Sequence, residues 1–331
     1  MGISPFASIE RVDMLLSFNI TTSADDMDRF ETRDDVLDHM RGFDGVELMW
    51  FGDDERITPD MVSGVHLSCL TTWYDFWTGN EEALLREFGD LQTVEMVYGS
   101  LDPHSLVDHY RRNMEVAHRY GAKYVVFHVA EATAEETLTF RCHHTSSQII
   151  DATCDLLNEV FADEDGSIAL MLENLWYPGL MLLEPVMTRR LFEGVRYANK
   201  GIMFDTGHLM HTDFSIRTQE QGLTYINRCI DMNEQAGLLP LFRGMHLHQS
   251  TTGEFCQSLR DNPLQLGDTY GKRIEQVFTN VFKIDQHRPF TCPGVADMIS
   301  RLPLEFLTWE FITSSREQHS EFLAAQRAAL Q

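Results

Sequence analysis

Short apolar runs recur along the chain, and stretches with the hydrophobic spacing of a helix separate them. Runs of this length that alternate with helical segments predict βα units and a parallel sheet. The sixth run, residues 201–205, leads directly into a polar segment, and the eighth lies close to the C-terminus. The eight predicted strands cover residues 14–20, 45–51, 64–69, 124–130, 167–174, 201–205, 242–249 and 306–311.

Eight βα units suit a closed (β/α)8 barrel, the TIM barrel of the α/β class, which typically takes about 250 residues. The chain has 331 residues. We therefore expect one domain over residues 1–331, with an extended loop after strand 7. This insertion should cover about residues 250–284 and contain a helix over 272–282. An open doubly wound sheet is the alternative, but no G-x-G-x-x-G follows any run, which disfavours a dinucleotide-binding fold.

Side chains that bind metals stand at the ends of these runs. Asp205 ends the sixth run, and His208 follows three residues later. Because the carboxyl ends of parallel strands converge on one mouth, such side chains should meet there. Imidazoles and carboxylates at or near other strand ends are His66, His128, Glu173, His246, His248 and Glu310, and Asp285 and His287 follow the insertion.

Each of these histidines, taken alone, is more often a packed and hydrogen-bonded core residue than a ligand. Glu173 and Glu310 are harder to explain in that way, because a bare carboxylate at the end of a buried run costs several kcal/mol. The joint occurrence at six strand ends predicts a metal site. Imidazole and carboxylate are suitable ligands for zinc, manganese or iron.

Charge and cysteine content narrow the class of protein. Lys and Arg total 26 against 51 Asp and Glu, a formal net charge of −25. Such a surface repels phosphate backbones, which disfavours a nucleic-acid partner. Neither a signal-peptide pattern nor an apolar stretch long enough for a membrane span is present, so we expect a soluble cytoplasmic protein. The six cysteines form no CxxC pair and are expected to be free thiols.

Five short motifs carry a resemblance to a known family. They are LEN at 172–174, DTGH at 205–208, GMHLH at 244–248, DQHRP at 285–289 and TWEF at 308–311. With these motifs, the chain resembles the xylose-isomerase-like TIM-barrel superfamily. That superfamily includes sugar and sugar-phosphate isomerases and epimerases, and the class II AP endonucleases. The resemblance extends from the first strand to Glu310.

The resemblance implies a set of metal ligands. Glu173, Asp205, His246 and Glu310 match the four-ligand site of the isomerases and epimerases. The five further ligands of the trinuclear zinc endonucleases are matched by His66, His128, His208, Asp285 and His287. The implied cofactors are one to three divalent ions per chain, zinc or manganese.

Three functions follow as hypotheses. The first is a metal-dependent isomerase or epimerase of a sugar, a sugar phosphate or a related small hydroxy-carbonyl compound, acting through an enediolate. In it, Glu173 and Glu310 are the expected base and acid, and His208 binds the ion or a substrate oxygen. The expected substrate pocket contains Trp73, Trp77, Trp176, Tyr177 and His248. The alternatives are an endonuclease IV-like trinuclear zinc phosphodiesterase and a catalytically silent barrel. The partner is expected to be a small carbohydrate-like molecule, and oligomerisation stays open.

Overall fold

A computed structural model describes residues 14–331. Residues 1–13 lie outside the described residues, and so does the expectation that this segment is not a signal peptide. Eight parallel strands pair in chain order, and the last pairs with the first, so the sheet closes into a barrel. The predicted TIM barrel is confirmed. Its strands are β1 (Leu15–Thr21), β2 (Gly45–Met49), β3 (Val62–His66), β4 (Tyr124–His128), β5 (Ala169–Glu173), β6 (Lys200–Asp205), β7 (Phe242–Leu247) and β8 (Phe306–Trp309).

Helices lie between successive strands, as the spacing predicts, although only a short 3-10 helix, Pro59–Met61, lies between β2 and β3. Two α-helices form the insertion after β7. Among the described residues, no helix is long and apolar enough to cross a membrane. The helices are α1 (Ala24–Met27), α2 (Arg33–His39), α3 (Tyr74–Trp77), α4 (Glu81–Phe88), α5 (Leu91–Tyr98), α6 (Ser105–Tyr120), α7 (Ala134–Thr139), α8 (Ser146–Val160), α9 (Pro185–Gly194), α10 (Thr206–Met210), α11 (Gln219–Gln235), α12 (Gly253–Asp261), α13 (Tyr270–Ile284), α14 (Val295–Ser300) and α15 (Arg316–Ala329).

The alternation of side chains along each strand separates two cores. On β5, Leu170 and Leu172 belong to the large core between strands and helices, whereas Met171 belongs to a small cluster inside the barrel. Successive side chains of a strand point to opposite faces. Glu173 therefore continues the inner face that carries Met171. The same alternation on β6 places Asp205 on the inner face that carries Met203.

A buried carboxylate lies inside the barrel, below its mouth. Glu47 on β2 is 1% exposed. It accepts hydrogen bonds from the Tyr124 hydroxyl at 2.7 Å and from the Thr308 hydroxyl at 3.0 Å. These contacts join β2, β4 and β8 across the barrel, and they give the mouth a floor that is both packed and hydrogen-bonded.

The insertion lies over one side of the mouth. The Tyr270 ring at the start of α13 lies 4.7 Å from the Phe88 ring at the end of α4. Arg273 donates a hydrogen bond to the Glu87 carbonyl oxygen. Helix α13 also packs against α7. The extra residues after β7 therefore form a helical wall of the space above the barrel.

Candidate metal centre

The nine predicted ligands lie together at the carboxyl end of the barrel. With Cys69 and His248 they form three groups, and within each group the ligand atoms lie within 4.8 Å of one another. We call them the first, second and third clusters. The first contains His66, Cys69 and His128, the second Glu173, Asp205, His246 and Glu310, and the third His208, His248, Asp285 and His287.

Glu173 joins the clusters to one another. One of its oxygens, Oε2, lies 3.2 Å from His66 Nε2 and 3.1 Å from His128 Nε2. The other, Oε1, lies 3.1 Å from His246 Nδ1 and 3.3 Å from His208 Nδ1. The side chain is fully buried. Its carboxylate thus contacts imidazoles of all three clusters.

Backbone carbonyls fix which ring nitrogen of two histidines faces the centre. His66 Nδ1 donates to the Leu67 carbonyl oxygen at 2.8 Å, which leaves the Nε2 lone pair for the first cluster. His208 Nδ1 donates to the Asn174 carbonyl oxygen at 3.0 Å, and its Nε2 lies 3.2 Å from Asp285 Oδ2. Such hydrogen bonds hold metal-binding imidazoles in one tautomer and one orientation.

His246 is held by the carboxylate inside the barrel. Its Nε2 donates a hydrogen bond to Glu47 Oε2 at 3.1 Å, so Nδ1 carries the lone pair that faces the second cluster. Burial by itself raises the pKa of Glu47, but the neighbouring His246 brings that pKa below its usual value. Glu47 was not predicted as a site residue. Its sequence signal is a charged residue within an otherwise apolar strand.

The third cluster has its own supporting residues. Asp285 Oδ2 lies 2.6 Å from His287 Nε2 and 3.2 Å from His208 Nε2. Its other oxygen, Oδ1, accepts hydrogen bonds from His211 Nε2 at 3.1 Å and from the Ser250 hydroxyl at 3.3 Å. Burial lowers the pKa of His211, which favours the neutral ring that donates this bond. Asp285 is thereby fixed with one oxygen facing the cluster.

Several candidate ligand atoms are buried and have no hydrogen-bond partner among residues 14–331. They include Glu310 Oε2, His287 Nδ1 and His248 Nδ1. Glu310 Oε2 lies 3.3 Å from His246 Nδ1 and 3.5 Å from His287 Nδ1. Buried polar atoms without partners are costly. A set of nitrogen and oxygen lone pairs converging at these distances fits divalent cations.

The electrostatics of the centre favour positive charge. Burial alone raises the pKa of Asp285, but His287 and His208 hold it well below its usual value. Burial alone lowers the pKa of His128, but Cys69 and Glu173 raise it to about 9. Asp285 therefore stays ionised, and the charges of the centre favour the positive form of the neighbouring imidazoles. Metal ions compete with protons for these nitrogens, so cations can supply that charge instead.

Cys69, which was not predicted as a ligand, lies in the first cluster. It was expected within strand 3, but β3 ends at His66, and Cys69 lies in the loop that follows. Its Sγ lies 3.6 Å from His66 Nδ1 and 4.0 Å from His128 Nε2. Burial raises the pKa of the thiol, but His128 and His66 lower it to about 5. The His-x-x-Cys spacing is the signal that points to it.

A cavity of about 760 Å³ lies above the clusters. Of the predicted pocket residues, Trp176 and Tyr177 line it. Trp73 is instead buried in the core, where its Nε1 donates to the Ala130 carbonyl oxygen at 2.8 Å. The Trp77 ring faces His104 at 5.8 Å, away from the cavity. The ligand residues that line the cavity are His66, Cys69, His128, His208, Asp285, His287 and Glu310.

His248 occupies a different place from the one expected. It was predicted as a pocket residue, but it is fully buried, and its Nε2 lies 2.8 Å from Asp205 Oδ2. Its ring stacks on that of His287 at a centroid distance of 3.8 Å. The stacking places it beside His287 in the third cluster, and the contact with Asp205 joins it to the second, behind the residues that line the cavity.

A match to a family model shows the family of the chain. The family described as "Xylose isomerase-like TIM barrel" matches residues 38–298. Similar solved structures include endonuclease IV from Thermus thermophilus. It is 13% identical in sequence, the alignment covers 96% of this chain and 98% of that chain, and the TM-score is 0.48. The apo form of 3-keto-D-glucoside 4-epimerase from E. coli is 14% identical, the alignment covers 95% of this chain and 99% of that chain, and the TM-score is 0.47.

A structure of L-ribulose 3-epimerase is similar at 11% identity, with 95% of this chain and 92% of that chain covered and a TM-score of 0.47. The comparison with curated proteins gives no match.

Proposed function

The chain belongs to the xylose isomerase-like TIM-barrel family, and from this premise we propose that it is a multinuclear metal-dependent hydrolase of a small phosphoester. The observation that carries the proposal is the position of Glu173. Four imidazoles surround its carboxylate, two from each side. A carboxylate held in this way serves two adjacent ions better than it serves one.

Each cluster would hold one divalent ion. The first would use His66, His128 and Glu173, with Cys69 within reach, and the second Glu173, Asp205, His246 and Glu310. The third would use His208, Asp285 and His287, with His248 beside them. When bound, divalent ions at such a site stabilise charge on a phosphoryl group and lower the pKa of a water molecule.

The charge of the centre supports an anionic substrate only if several ions are present. Its acidic side chains are Glu173, Asp205, Asp285, Glu310 and Cys69, and Glu47 lies against His246 below them, which gives six formal negative charges. A single divalent ion would leave the mouth strongly negative, whereas three would neutralise it. A neutralised mouth on an otherwise acidic protein no longer repels a small phosphorylated molecule, while the surrounding surface still disfavours a polynucleotide.

The protein's own residues accept one proton and limit the access of water. A water oxygen forms a bond to phosphorus, and the bond from phosphorus to the ester oxygen breaks. The electron pair of that bond leaves with the ester oxygen, which takes a proton from solvent. Glu310 lines the cavity, and with one oxygen facing the second cluster its other oxygen is placed to accept the proton that water loses. Trp176 borders His208 at a ring distance of 5.0 Å and limits the entry of further water.

The isomerase or epimerase, ranked first from the sequence, is the second candidate. The second cluster by itself offers four donors to one ion, and Glu310 faces the cavity. That hypothesis also requires Glu173 as the proton-transfer partner of Glu310. Glu173 is fully buried and engaged by four imidazoles, so a substrate carbon does not reach it. For this reason we favour hydrolysis.

Metal content and two reactions test the proposal together. Protein purified without chelator should contain close to three divalent ions per chain, and the zinc- or manganese-loaded protein should release nitrophenol from p-nitrophenyl phosphate or its diester. Glu310→Gln should lower that rate at least about 100-fold, because a group that accepts the proton of the reacting water is worth roughly that factor. Circular dichroism should show the same fold for both proteins.

Glu321→Gln is the matched control, because Glu321 is an exposed residue of α15. One ion per chain together with solvent deuterium entering a ketose, and no release of nitrophenol, would favour the isomerase and reject the hydrolase. Unchanged hydrolysis in Glu310→Gln would reject the assigned role of Glu310.

A further inference from the structure

Helix α13 turns an apolar face towards the cavity instead of the core. Its residues at helical spacing of three and four are Ile274, Val277, Phe278, Val281 and Phe282, and all of them line the cavity. Phe278 is 59% exposed and Phe282 54% exposed. An amphipathic helix normally buries such a face against its own protein. Here the face is open to the space above the metal centre.

The wall opposite α13 is also largely apolar. Ile20 and Met49 line the cavity at the ends of β1 and β2, and Leu70 lines it beyond β3. Ile312, which follows β8, is 40% exposed and lines it too. Polar and charged residues outside the clusters, among them Asn19, Asp26, Arg29 and Thr71, also line the cavity. The cavity therefore combines a metal-binding floor with one continuous hydrocarbon wall, which α13 forms.

We infer that the substrate is an amphiphile, a phosphoester of an apolar alcohol, with its phosphate at the clusters and its hydrocarbon against α13. The inference rests on the proposed hydrolysis, whose site it shares. A carbohydrate in this position would bring hydroxyl groups against Val277, Phe278 and Val281, and hydroxyls without hydrogen-bond partners are costly. A hydrocarbon gains free energy in the same place, since both surfaces leave water.

The shared cavity is the reason to choose a small amphiphile over a second copy of the chain. The apolar face and the ligand residues border one continuous space of about 760 Å³. A ligand anchored at the floor would lie along α13 without leaving that space. Dimerisation through Phe278 and Phe282 is the competing explanation of their exposure, and analytical ultracentrifugation distinguishes it.

Binding of alkylphosphonates to the zinc-loaded full-length protein tests the inference. Their carbon–phosphorus bond is not hydrolysed, so calorimetry measures affinity apart from catalysis. Burying one methylene contributes about 0.8 kcal/mol, or roughly a fourfold gain in affinity. Because part of the octyl group would stay exposed to water, octylphosphonate should bind on the order of 100-fold more tightly than ethylphosphonate.

The double substitution Phe278→Ser and Phe282→Ser should reduce that preference about tenfold and leave the affinity for ethylphosphonate unchanged. Phe51→Ser is the matched control, because Phe51 is 65% exposed and does not line the cavity. Equal affinity for both phosphonates, or a preference that the double substitution leaves undiminished, would overturn the inference. So would a dimer in analytical ultracentrifugation that the double substitution dissociates.

The outcomes for the two proposals can be told apart. If the chain-length preference is found but neither octyl phosphate nor p-nitrophenyl phosphate is hydrolysed, the hydrolase proposal fails and the amphiphile site stands. If ethyl phosphate and octyl phosphate are hydrolysed with the same kcat/KM and the phosphonates bind equally, the hydrolase stands and the amphiphile inference fails.

Discussion

At the scale of single residues, Cys69 changes the chemistry of the first cluster. The other donors of the three clusters are imidazole nitrogens and carboxylate oxygens, and Cys69 adds a sulfur within 4.0 Å of His128 Nε2. Thiolates favour zinc, cobalt and iron over magnesium and calcium. We therefore expect the first cluster to prefer softer ions, and we expect its sulfur to be detectable by spectroscopy.

Cobalt(II) substitution should reveal the thiolate. In the cobalt-loaded protein, sulfur coordination gives a near-ultraviolet charge-transfer band, which Cys69→Ala should remove while the weaker bands of cobalt bound to nitrogen and oxygen persist. Absorption spectroscopy at fixed cobalt content is the measurement. Cys142→Ala is the control, because Cys142 is also a free, exposed cysteine but lies outside the clusters. A band of unchanged intensity in Cys69→Ala would show that the sulfur does not bind.

At the scale of elements, a half-buried and a buried histidine hold helices α2 and α15 together. His39 Nε2 and His319 Nδ1 are 2.8 Å apart, a distance at which one ring donates and the other accepts. Both rings contact Phe18 edge-on. Burial lowers the pKa of His39 to about 4 and that of His319 to about 3. The contact therefore requires neutral imidazoles.

This pair should make the fold sensitive to mild acid. An unfolded histidine has a pKa of about 6.5, so below that pH the unfolded chain binds more protons than the folded one. The stabilisation that this contact contributes is complete above pH 6.5 and is lost as the pH falls towards about 4. When the pH falls from 7.5 to 5, the free energy of unfolding should decrease in the unmodified protein more than in the double variant His39→Leu/His319→Leu. The difference between the two decreases should be on the order of 2 kcal/mol, a value that allows for the partial exposure of His39.

Urea unfolding of chelator-treated protein at the two pH values gives the comparison, because the clusters then contribute equally to every variant. His143→Leu serves as a control, since His143 is exposed. An identical loss of free energy in the double variant and the unmodified protein would rule out this pair as an acid-sensitive contact.

The elements and most ligands follow from local sequence, whereas their mutual contacts do not. The predicted helix over 272–282 is part of α13 (Tyr270–Ile284), because its apolar spacing is visible along the chain. The contact of Glu47 with His246 spans 199 positions, and no local pattern indicates it. Trp73 was expected at the pocket for its place in an aromatic loop. The hydrogen bond to Ala130 that draws it into the core depends on tertiary packing.

At the scale of the whole molecule, the metal centre connects most of the barrel. Its ligands come from the ends of β3 to β8 and from the segment after the insertion. Without ions, four buried carboxylates would rely on protonated imidazoles alone for compensation, and such groups carry several kcal/mol of desolvation cost. Ions that bind only the folded barrel should therefore stabilise the entire domain.

Removal of the ions should lower the thermal midpoint of the whole chain in one transition. An ion present at 100 times its Kd adds about 2.7 kcal/mol, and a few kcal/mol shift Tm by roughly 5–10 °C in a domain of this size. Differential scanning calorimetry with chelator, and after zinc is restored, measures the shift.

Asp205→Asn should reduce this shift, because an amide is a poorer metal ligand than a carboxylate. The substitution should not disrupt the fold, because the amide oxygen can still cap α10, where Asp205 Oδ1 accepts a hydrogen bond from the His208 backbone N–H at 2.6 Å. Glu321→Gln, at an exposed residue of α15, should keep the full shift. If chelator leaves Tm unchanged in the unmodified protein, the clusters do not bind ions in the folded state, and the metal centre itself is refuted.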